Sequence, residues 1–303
     1  MTPNLRGILL MVGAMAGFAV EDALIKAASA SVPAGQVIFM IVAAGLVAFG
    51  LWARAAGFAL WQRGTFAGPV VGRTLAEMVG TFGIVTALSL ASLSTVTAIL
   101  QAAPIVVVAA AALFLHEAVG WRRWTAVVAG FAGVLLILRP GAAGFDPNAL
   151  WAVLGVLGLT ARDIFSRRID PRLPTPVVAW WGYAAVAVLG AWMTLRAGGP
   201  VWPGPVAWVQ IAVASVVGLV SYWAIIEATR AGDVSIIAPF RYSRLLFGVG
   251  LGVAFFAETV DLLMGLGAAL VIGSGLYALY RERLRKVEGA ATASPPPLRE
   301  TKA

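Results

Sequence analysis

The sequence predicts an all-α membrane protein whose ten transmembrane helices form two inverted five-helix repeats. Three observations predict this fold class. First, 60% of the 303 residues are hydrophobic and only 12% are charged, which is about half the charged fraction of an ordinary soluble domain. Second, apolar segments of about 20 residues, the length that crosses a bilayer, recur along the whole chain. Third, the two halves of the chain match one another at a constant offset.

Short turn signals separate the apolar segments, among them Pro33, Pro140, Pro171 and the run 198–200. The segments favour α-helices because backbone amides in lipid must be paired within the segment. They are also too long and too apolar for the strands of a membrane barrel. The predicted spans are residues 5–28, 34–53, 67–90, 93–115, 121–139, 148–167, 176–195, 204–229, 233–256 and 260–280.

The arginines predict the orientation of the spans. With the N-terminus in the cytoplasm, the outside connections carry only Arg139 and Arg196. The inside connections carry Arg6, Arg54, Arg63, Arg122, Arg123, Arg167, Arg168, Arg172, Arg230, Arg281, Arg283, Arg285 and Lys286. Under the positive-inside rule we expect both termini in the cytoplasm and the protein in the cell inner membrane. The same rule explains the net charge of +8, so no nucleic-acid partner is expected.

An internal repeat divides the chain into two similar halves. Glu258 lies 141 residues after Glu117, and many positions agree at that offset without gaps, including the pairs Asp22/Asp163, Pro33/Pro174, Ser94/Ser235, Phe114/Phe255 and Glu117/Glu258. Each half holds five spans, an odd number, so the second half must enter the membrane inverted. We expect a first repeat at 5–139, a second at 148–281, and a disordered cytoplasmic tail at 282–303, which contains Ser-Pro-Pro-Pro.

Inverted repeats place a binding site near the midplane of the membrane, where the two halves meet. The repeat therefore predicts transport of a small-molecule substrate across the lipid bilayer, with the halves moving around a central site.

The repeated motifs also resemble a known family, the EamA-type members of the drug/metabolite transporter superfamily. In each half an Ala-Pro element precedes an apolar helix, then a glutamate and a glycine-spaced span. The motifs are Ala98-Ile99-Leu100-Gln101-Ala102-Ala103-Pro104, His116-Glu117 and Leu138-Arg139-Pro140, then Ala238-Pro239-Phe240-Arg241-Tyr242-Ser243-Arg244, Glu258 and Gly273-Ser274-Gly275-Leu276-Tyr277.

The resemblance implies a five-plus-five fold with a central cavity and alternating access. Within the superfamily, the run 161–169 and the pair Glu21-Asp22 look most like proteobacterial members linked to riboflavin or S-adenosylmethionine uptake. The resemblance thus implies a vitamin or a nucleoside-like solute as substrate. Export of amino acids or drugs by the same fold is the alternative.

Charged side chains at membrane depth are costly, about 2.5–3.5 kcal/mol each on insertion, and should face a cavity or a partner. Ten lie within the predicted spans: Glu21, Asp22, Glu77, Asp163 and Glu227 are acidic, and Lys26, Arg73, Arg162, Arg241 and Arg244 are basic. Helical spacing predicts pairs for Asp22 with Lys26, Arg73 with Glu77, and Asp163 with Arg167. For the first two pairs, a purely structural role is an alternative to lining the cavity.

Span 9 carries the most informative charges, because Arg241 and Arg244 have no acidic residue nearby on the same helix. Their compensation must come from another helix or from an anionic group of the substrate. Glu227 is one candidate partner, although it could equally lie in water at the interface. Spans 4 and 9 are expected to form opposite walls of the site. The predicted substrate-binding residues are Arg241, Tyr242, Arg244, Gln101, Arg73, Glu77, Asp22, Asp163 and Tyr222.

Other chemistry is not indicated by the sequence. It has no cysteine and one histidine, His116, so no metal site or cofactor is expected. It also lacks a Walker loop and an His-Glu-x-x-His motif. An intramembrane enzyme and a non-transporting scaffold remain as alternatives of another class. Glu117 and Glu258 are interpreted as capping acids at the start of the following helix. Glu21, Asp22, Glu77 or Asp163 could carry a coupling proton, and the oligomeric state is open.

Overall fold

The computed structural model describes residues 2–115, 120–142 and 145–292. This part of the chain is helical and contains no strand. The α-helices are α1 (Pro3–Ala28), α2 (Ala34–Ala55), α3 (Gly68–Leu90), α4 (Leu93–Leu100), α5 (Ala103–Phe114), α6 (Trp121–Leu138), α7 (Leu150–Ser166), α8 (Thr175–Arg196), α9 (Pro205–Ala231), α10 (Val234–Ile237), α11 (Ser243–Phe256) and α12 (Leu262–Thr292).

Nine helical segments of the described residues are long and apolar enough to cross a membrane. They correspond to nine of the ten predicted spans, which confirms the fold class. The remaining predicted span, span 9 at 233–256, is divided into α10, a 3-10 segment (Ala238–Tyr242) and α11. Pro239 lies in that segment, where it removes a backbone donor from a continuous helix.

The fourth span is broken at the equivalent place. Its helix α4 ends at Leu100, residues Gln101 and Ala102 form a turn, and α5 begins at Ala103. Pro104 stands at the start of α5, where proline is tolerated because the first turn leaves its amides unpaired. Both interruptions therefore fall at mid-membrane on the two spans predicted to form the walls of the site.

The two halves of the chain interleave rather than standing side by side. α1 packs along α9, α3 along α7, α2 along α8, and α6 along α12. Each of these pairs joins a helix of the first repeat to one of the second. The 141-residue offset relates α1 to α7 and α3 to α9, so it converts the pair of α1 with α9 into the pair of α7 with α3. The packing therefore has the pseudo-two-fold arrangement of an inverted repeat.

Glycines let α3 and α7 come into backbone contact. A Cβ added at Gly158 would lie 2.3 Å from the backbone nitrogen of Gly80, and one added at Gly83 would lie 2.5 Å from that of Gly155. No side chain larger than hydrogen fits at such distances, and small residues of this kind are a usual means of packing helices in lipid.

The largest buried apolar cluster lies mainly toward the side of the bundle opposite the N-terminus. Its members include residues at the ends of α1, α3 and α6 and at the starts of α4, α7, α9 and α12: Ile25, Ala28, Leu88, Leu93, Val96, Ile137, Leu138, Ala152, Ala207, Ile211 and Met264. On the outside of the bundle, large apolar side chains such as Leu51, Val188 and Leu195 are exposed, as expected of a surface that faces lipid.

The C-terminal helix is longer than predicted. α12 continues to Thr292, so the expectation of disorder is wrong for residues 282–292. The physical reason is that this stretch contains helix-forming residue types and no proline before Pro295. Residues 293–303 lie outside the described part of the chain. The same holds for His116 and Glu117, whose predicted roles are not addressed by the structure.

Candidate functional site

A cavity of about 580 Å³, here called the central cavity, lies between α1, α5, α7 and α11. It extends from Ile84 and Leu100 at mid-membrane to Ser166 and Arg167 at the end of α7, which is the side that carries the N-terminus. Its volume is within the range of sites for small organic ligands, about 300–1,000 Å³.

The central cavity lies on the pseudo-two-fold axis of the repeat. Five pairs of residues that are 141 positions apart line it together: Phe18 and Leu159, Ile84 and Ile225, Leu100 and Arg241, Gln101 and Tyr242, and Ala103 and Arg244. The charged members of these pairs come from the second half, so the cavity is symmetric in shape and asymmetric in charge.

The two broken spans, which were predicted to form opposite walls of the site, both line the cavity at this axis. The Gln101 side-chain amide nitrogen donates to the backbone carbonyl of Arg241 over 3.4 Å. Tyr242 lines the cavity and is 6% exposed. Its hydroxyl lies so close to Gly275 of α12 that a Cβ there would be only 1.6 Å away. The interruptions thus bring side chains of both halves into contact at the floor of the cavity.

Arg244 is compensated by another helix, one of the two possibilities that the sequence left open. Its guanidinium donates to Oδ2 of the buried Asp22 from Nη2 over 2.5 Å and from Nε over 3.2 Å. It also lies 5.3 Å from the ring of Phe18. The predicted pair of Asp22 with Lys26 is therefore wrong, because the cross-helix arginine reaches Asp22 where the same-helix lysine does not.

A second ionic group lies beside the cavity. Arg162 donates to Oδ1 of Asp163 from Nη2 over 2.9 Å and from Nε over 3.0 Å, and to Oε1 of Glu77 over 3.2 Å. Glu77 in turn pairs with Arg73 at 2.8 Å, which confirms that predicted pair. Arg162 and Asp163 line the cavity, whereas Arg73 and Glu77 lie behind them and hold Arg162 in place.

Arg241 differs from the other intramembrane arginines. It lines the cavity, and its guanidinium makes no hydrogen bond or ion pair with any residue that the structure describes. Its main favourable electrostatic interaction is with Asp163. A guanidinium without a direct partner at membrane depth is costly, so the cavity is prepared for an anion beside this residue.

Two predicted contacts are not formed. Tyr222 packs edge-on against Phe49, with ring centroids 6.0 Å apart and an interplanar angle of 85°, and it is not among the residues that line the cavity, so its place in the site stays a prediction. Glu227 pairs with Arg230 at 3.9 Å rather than with an arginine of span 9. Both residues are on α9 outside the cavity wall.

On the opposite side of the bundle a polar cluster, here called the clamp, joins the two halves. The carboxylate of Glu258 accepts from the backbone N–H groups of Leu93 and Ser94 over 2.6 and 2.8 Å. Lys26 donates to the carbonyl of Ala91 over 2.5 Å and lies 4.0 Å from Glu258. The clamp closes the bundle on the side away from the cavity.

The clamp corrects the interpretation of Glu258. It does cap a helix, but that helix is α4 of the other half, whose first amides point at the carboxylate. The start of α12 is capped instead by Asp261, which accepts from the N–H of Met264 over 2.8 Å. The loop before α12 contains both Glu258 and Asp261, and Asp261, which is nearer to the helix, caps it.

The sequence argument missed several lining residues, among them Phe18, Thr160 and Arg162. The repeat held a signal for Phe18, because its equivalent Leu159 adjoins the intramembrane charges at 162 and 163. Arg162 was counted among the intramembrane charges, but nothing in its spacing separated it from a residue that only packs. The expectation that the chain holds no metal or cofactor stays a prediction.

Comparisons with known proteins agree with this architecture. Residues 5–139 match the EamA-like transporter family. A pseudopaline exporter, CntI of Pseudomonas aeruginosa, is 28% identical over 273 residues, which is 88% of this chain and 93% of that protein. The first repeat is thus similar to the EamA-like transporter family, and a transporter-type relative is similar over most of the chain. The chain is a multi-pass membrane protein, and the proteins to which it is similar are named as transporters or exporters.

Other relatives are named for particular solutes. An S-adenosylmethionine uptake transporter of Rickettsia bellii is 26% identical over 199 residues, 65% of this chain and 67% of that protein. A riboflavin transporter of Rhizobium johnstonii is 28% identical over 189 residues, 62% of each chain. These matches span about two thirds of the relatives or less.

A solved structure, titled only "Crystal structure of protein", has the same fold. It superimposes with a TM-score of 0.62 at 23% identity and covers 93% of this chain and 98% of its own.

Proposed function

We propose that this transporter moves a small metabolite with an anionic group by alternating access, and that Arg241 binds that group in the central cavity. The observation that carries the proposal is the guanidinium of Arg241, which faces the cavity without a direct partner among the described residues. An arginine pairs strongly with a carboxylate or phosphate because two of its N–H groups can donate in parallel.

S-adenosylmethionine is the first candidate substrate, and riboflavin is the second. Relatives named for each compound are similar to this chain. Both compounds have a flat aromatic part, but only S-adenosylmethionine carries a carboxylate for Arg241. A relative named as an exporter covers more of the chain, and export is therefore the alternative direction for the same cavity.

The orientation proposed from the arginines places both termini in the cytoplasm and the protein in the inner membrane. In that orientation the central cavity opens toward the cytoplasm and the clamp faces the outside. The structure then corresponds to the inward-facing state of the transport cycle, in which an imported solute leaves or an exported solute enters.

The test is an exchange assay with purified protein in liposomes preloaded with S-adenosylmethionine or riboflavin. Exchange needs no assumption about the coupling ion. We expect saturable exchange by the wild type, and at least a tenfold loss for Arg241→Gln, because a hydrogen bond to a charged group contributes about 1.5–3 kcal/mol. Arg196→Gln, at the far end of α8 and outside the cavity lining, is the matched control and should behave as the wild type.

Equal exchange by Arg241→Gln and the wild type would overturn the role of Arg241. Covalent conversion of the solute would support an enzyme instead, and neither flux nor conversion with any solute would support a scaffold. The relatives reported above are all named as transporters or exporters, which favours transport among these three.

A further inference from the structure

The two halves of the protein treat their equivalent aspartates differently. Asp22 and Asp163 occupy the same position in the two repeats. Asp22 is buried and receives both hydrogen bonds of Arg244 on its Oδ2. Asp163 lines the cavity, and its side chain is 46% exposed.

One carboxylate oxygen of Asp163 is available to accept further hydrogen bonds. Both hydrogen bonds from Arg162 arrive at Oδ1, and Oδ2 receives no hydrogen bond from any residue in the described ranges. A carboxylate oxygen can accept two hydrogen bonds, so Asp163 keeps acceptor capacity on the side that faces the cavity.

Asp163 lacks the arginine partner that its repeat-equivalent Asp22 has. The partner of Asp22 is Arg244, and the residue 141 positions before Arg244 is Ala103. Ala103 lines the central cavity, so the space that a symmetric guanidinium would fill belongs to the cavity. The second half therefore presents Asp163 to an open space, whereas the first half presents Asp22 to an arginine.

We infer that Asp163 and the space beside Ala103 form a subsite for a cationic group of the substrate. The cation takes the place that the guanidinium of Arg244 holds in the other half. Arg241 lines the same cavity as Asp163 and would bind a carboxylate of the same molecule. The site would thus select a solute that carries both charges, and this inference rests on the proposed function of Arg241.

The test measures binding to the full-length protein in detergent by isothermal titration. Three probes separate the groups: S-adenosylmethionine has a carboxylate, an ammonium and a sulfonium group; S-adenosylhomocysteine lacks the sulfonium charge; and 5′-methylthioadenosine lacks the whole amino-acid group. We expect 5′-methylthioadenosine to bind at least tenfold more weakly than S-adenosylmethionine. Asp163→Asn should weaken S-adenosylmethionine at least tenfold and leave 5′-methylthioadenosine unchanged.

The result with S-adenosylhomocysteine identifies which cationic group occupies the subsite. If Asp163→Asn weakens S-adenosylhomocysteine as well, the ammonium group occupies the subsite; if it weakens only S-adenosylmethionine, the sulfonium group does. Both results support the inference. Asp163→Asn keeps an oxygen for Arg162, and Glu227→Gln, which changes an acid outside the cavity, is the matched control.

A second variant fills the subsite from the protein itself. Ala103→Arg restores the symmetric guanidinium and should abolish binding of S-adenosylmethionine while raising the melting temperature of the unliganded protein. Wild-type affinity of Asp163→Asn for S-adenosylmethionine would overturn the inference, as would wild-type affinity of Ala103→Arg. If Arg241→Gln still abolishes exchange, the proposed function stands; if no carboxylate-bearing solute binds or exchanges, the proposed function itself fails.

Discussion

The two ends of the bundle differ in how they use charge. On the side of the clamp, Glu258 is hydrogen-bonded to amides of the opposite half and lies 4.0 Å from Lys26 of that half, and a large apolar cluster lies on the same side. On the side of the cavity, Arg241 and Oδ2 of Asp163 face open space. The comparison indicates that the charges of the clamp are satisfied by the protein, whereas the cavity side, which also holds the pair of Arg244 with Asp22, leaves Arg241 and one oxygen of Asp163 for the substrate.

The clamp connects the two halves through backbone N–H donors of α4. The first amides of α4 have no partner within their own helix, and the helix dipole adds positive potential at this end. Glu258 satisfies two of these amides, and its side chain is only 10% exposed. Opening this side of the bundle must therefore break charge-assisted hydrogen bonds between the halves.

The largest effect that we expect comes from removing the clamp. Glu258→Ala leaves two amides of α4 without their acceptor and Lys26 without its ion-pair partner, and breaking a buried ionic group of this kind costs about 3 kcal/mol or more. The variant should melt at a lower temperature in detergent. It should also open the side opposite the N-terminus.

The chain has no cysteine, so a single reporter can measure that opening. Thr97 is fully buried in α4 behind the clamp. Thr97→Cys should resist a membrane-impermeant thiol reagent applied to the clamp side, and become reactive when combined with Glu258→Ala. Glu227→Gln, which changes an acid paired loosely at 3.9 Å, is the control. Fast modification of Thr97→Cys without the clamp mutation would contradict a closed state.

A second comparison sets the two equivalent helix pairs against each other. Gly17 and Gly158 are repeat-equivalent, but a Cβ at Gly158 would meet the backbone of Gly80 at 2.3 Å, whereas one at Gly17 would meet the hydroxyl of Ser221 at 2.0 Å. A backbone cannot move aside, whereas a serine side chain can rotate. We expect Gly158→Ala to destabilise the protein by about 2 kcal/mol.

Gly17→Ala should cost less, under about 1 kcal/mol, and melting temperatures of the two variants measure the difference. The double variant Gly17→Ala with Ser221→Ala is the control, because it removes the side chain that must move. Equal loss of stability in the two single variants would show that α1 with α9 is packed as rigidly as α3 with α7.

Much of the fold could be predicted from the sequence because lipid imposes strong constraints. Span boundaries such as Leu93 and Trp121 follow from the alternation of apolar runs and turns, and the odd number of spans in each repeat gives the inversion. The division of span 9 is harder to predict, since Pro239 alone permits a kink, a break or a continuous helix.

The pairing of charges could be predicted only in part. Spacing along one helix found the pair of Arg73 with Glu77, but it missed Asp22 with Arg244, whose positions are 222 residues apart. Such a contact depends on which faces of two helices meet, and one sequence does not contain that information. Within the repeat, however, the absence of an arginine at position 103 was visible, and it distinguishes Asp163 from Asp22.

The smallest effect that we expect concerns the exposed edge of the clamp side, where Arg139 after α6 bonds to Asp261 before α12. Hydrogen bonds from Arg139 and from the N–H of Met264 lower the pKa of Asp261. A carboxyl with a lowered pKa in the folded state adds stability above its ordinary pKa of about 3.9 and loses it as the pH falls through the lowered value.

Asp261→Asn should therefore melt slightly below the wild type at pH 7, by much less than Glu258→Ala, and the difference should vanish in acid. Arg139→Gln removes the other member of the same ion pair. The double variant should lose less stability than the two single variants added together, because both remove the same contact. A difference between Asp261→Asn and the wild type that stays constant from pH 7 to pH 3 would show that the charge of Asp261 does not stabilise this edge.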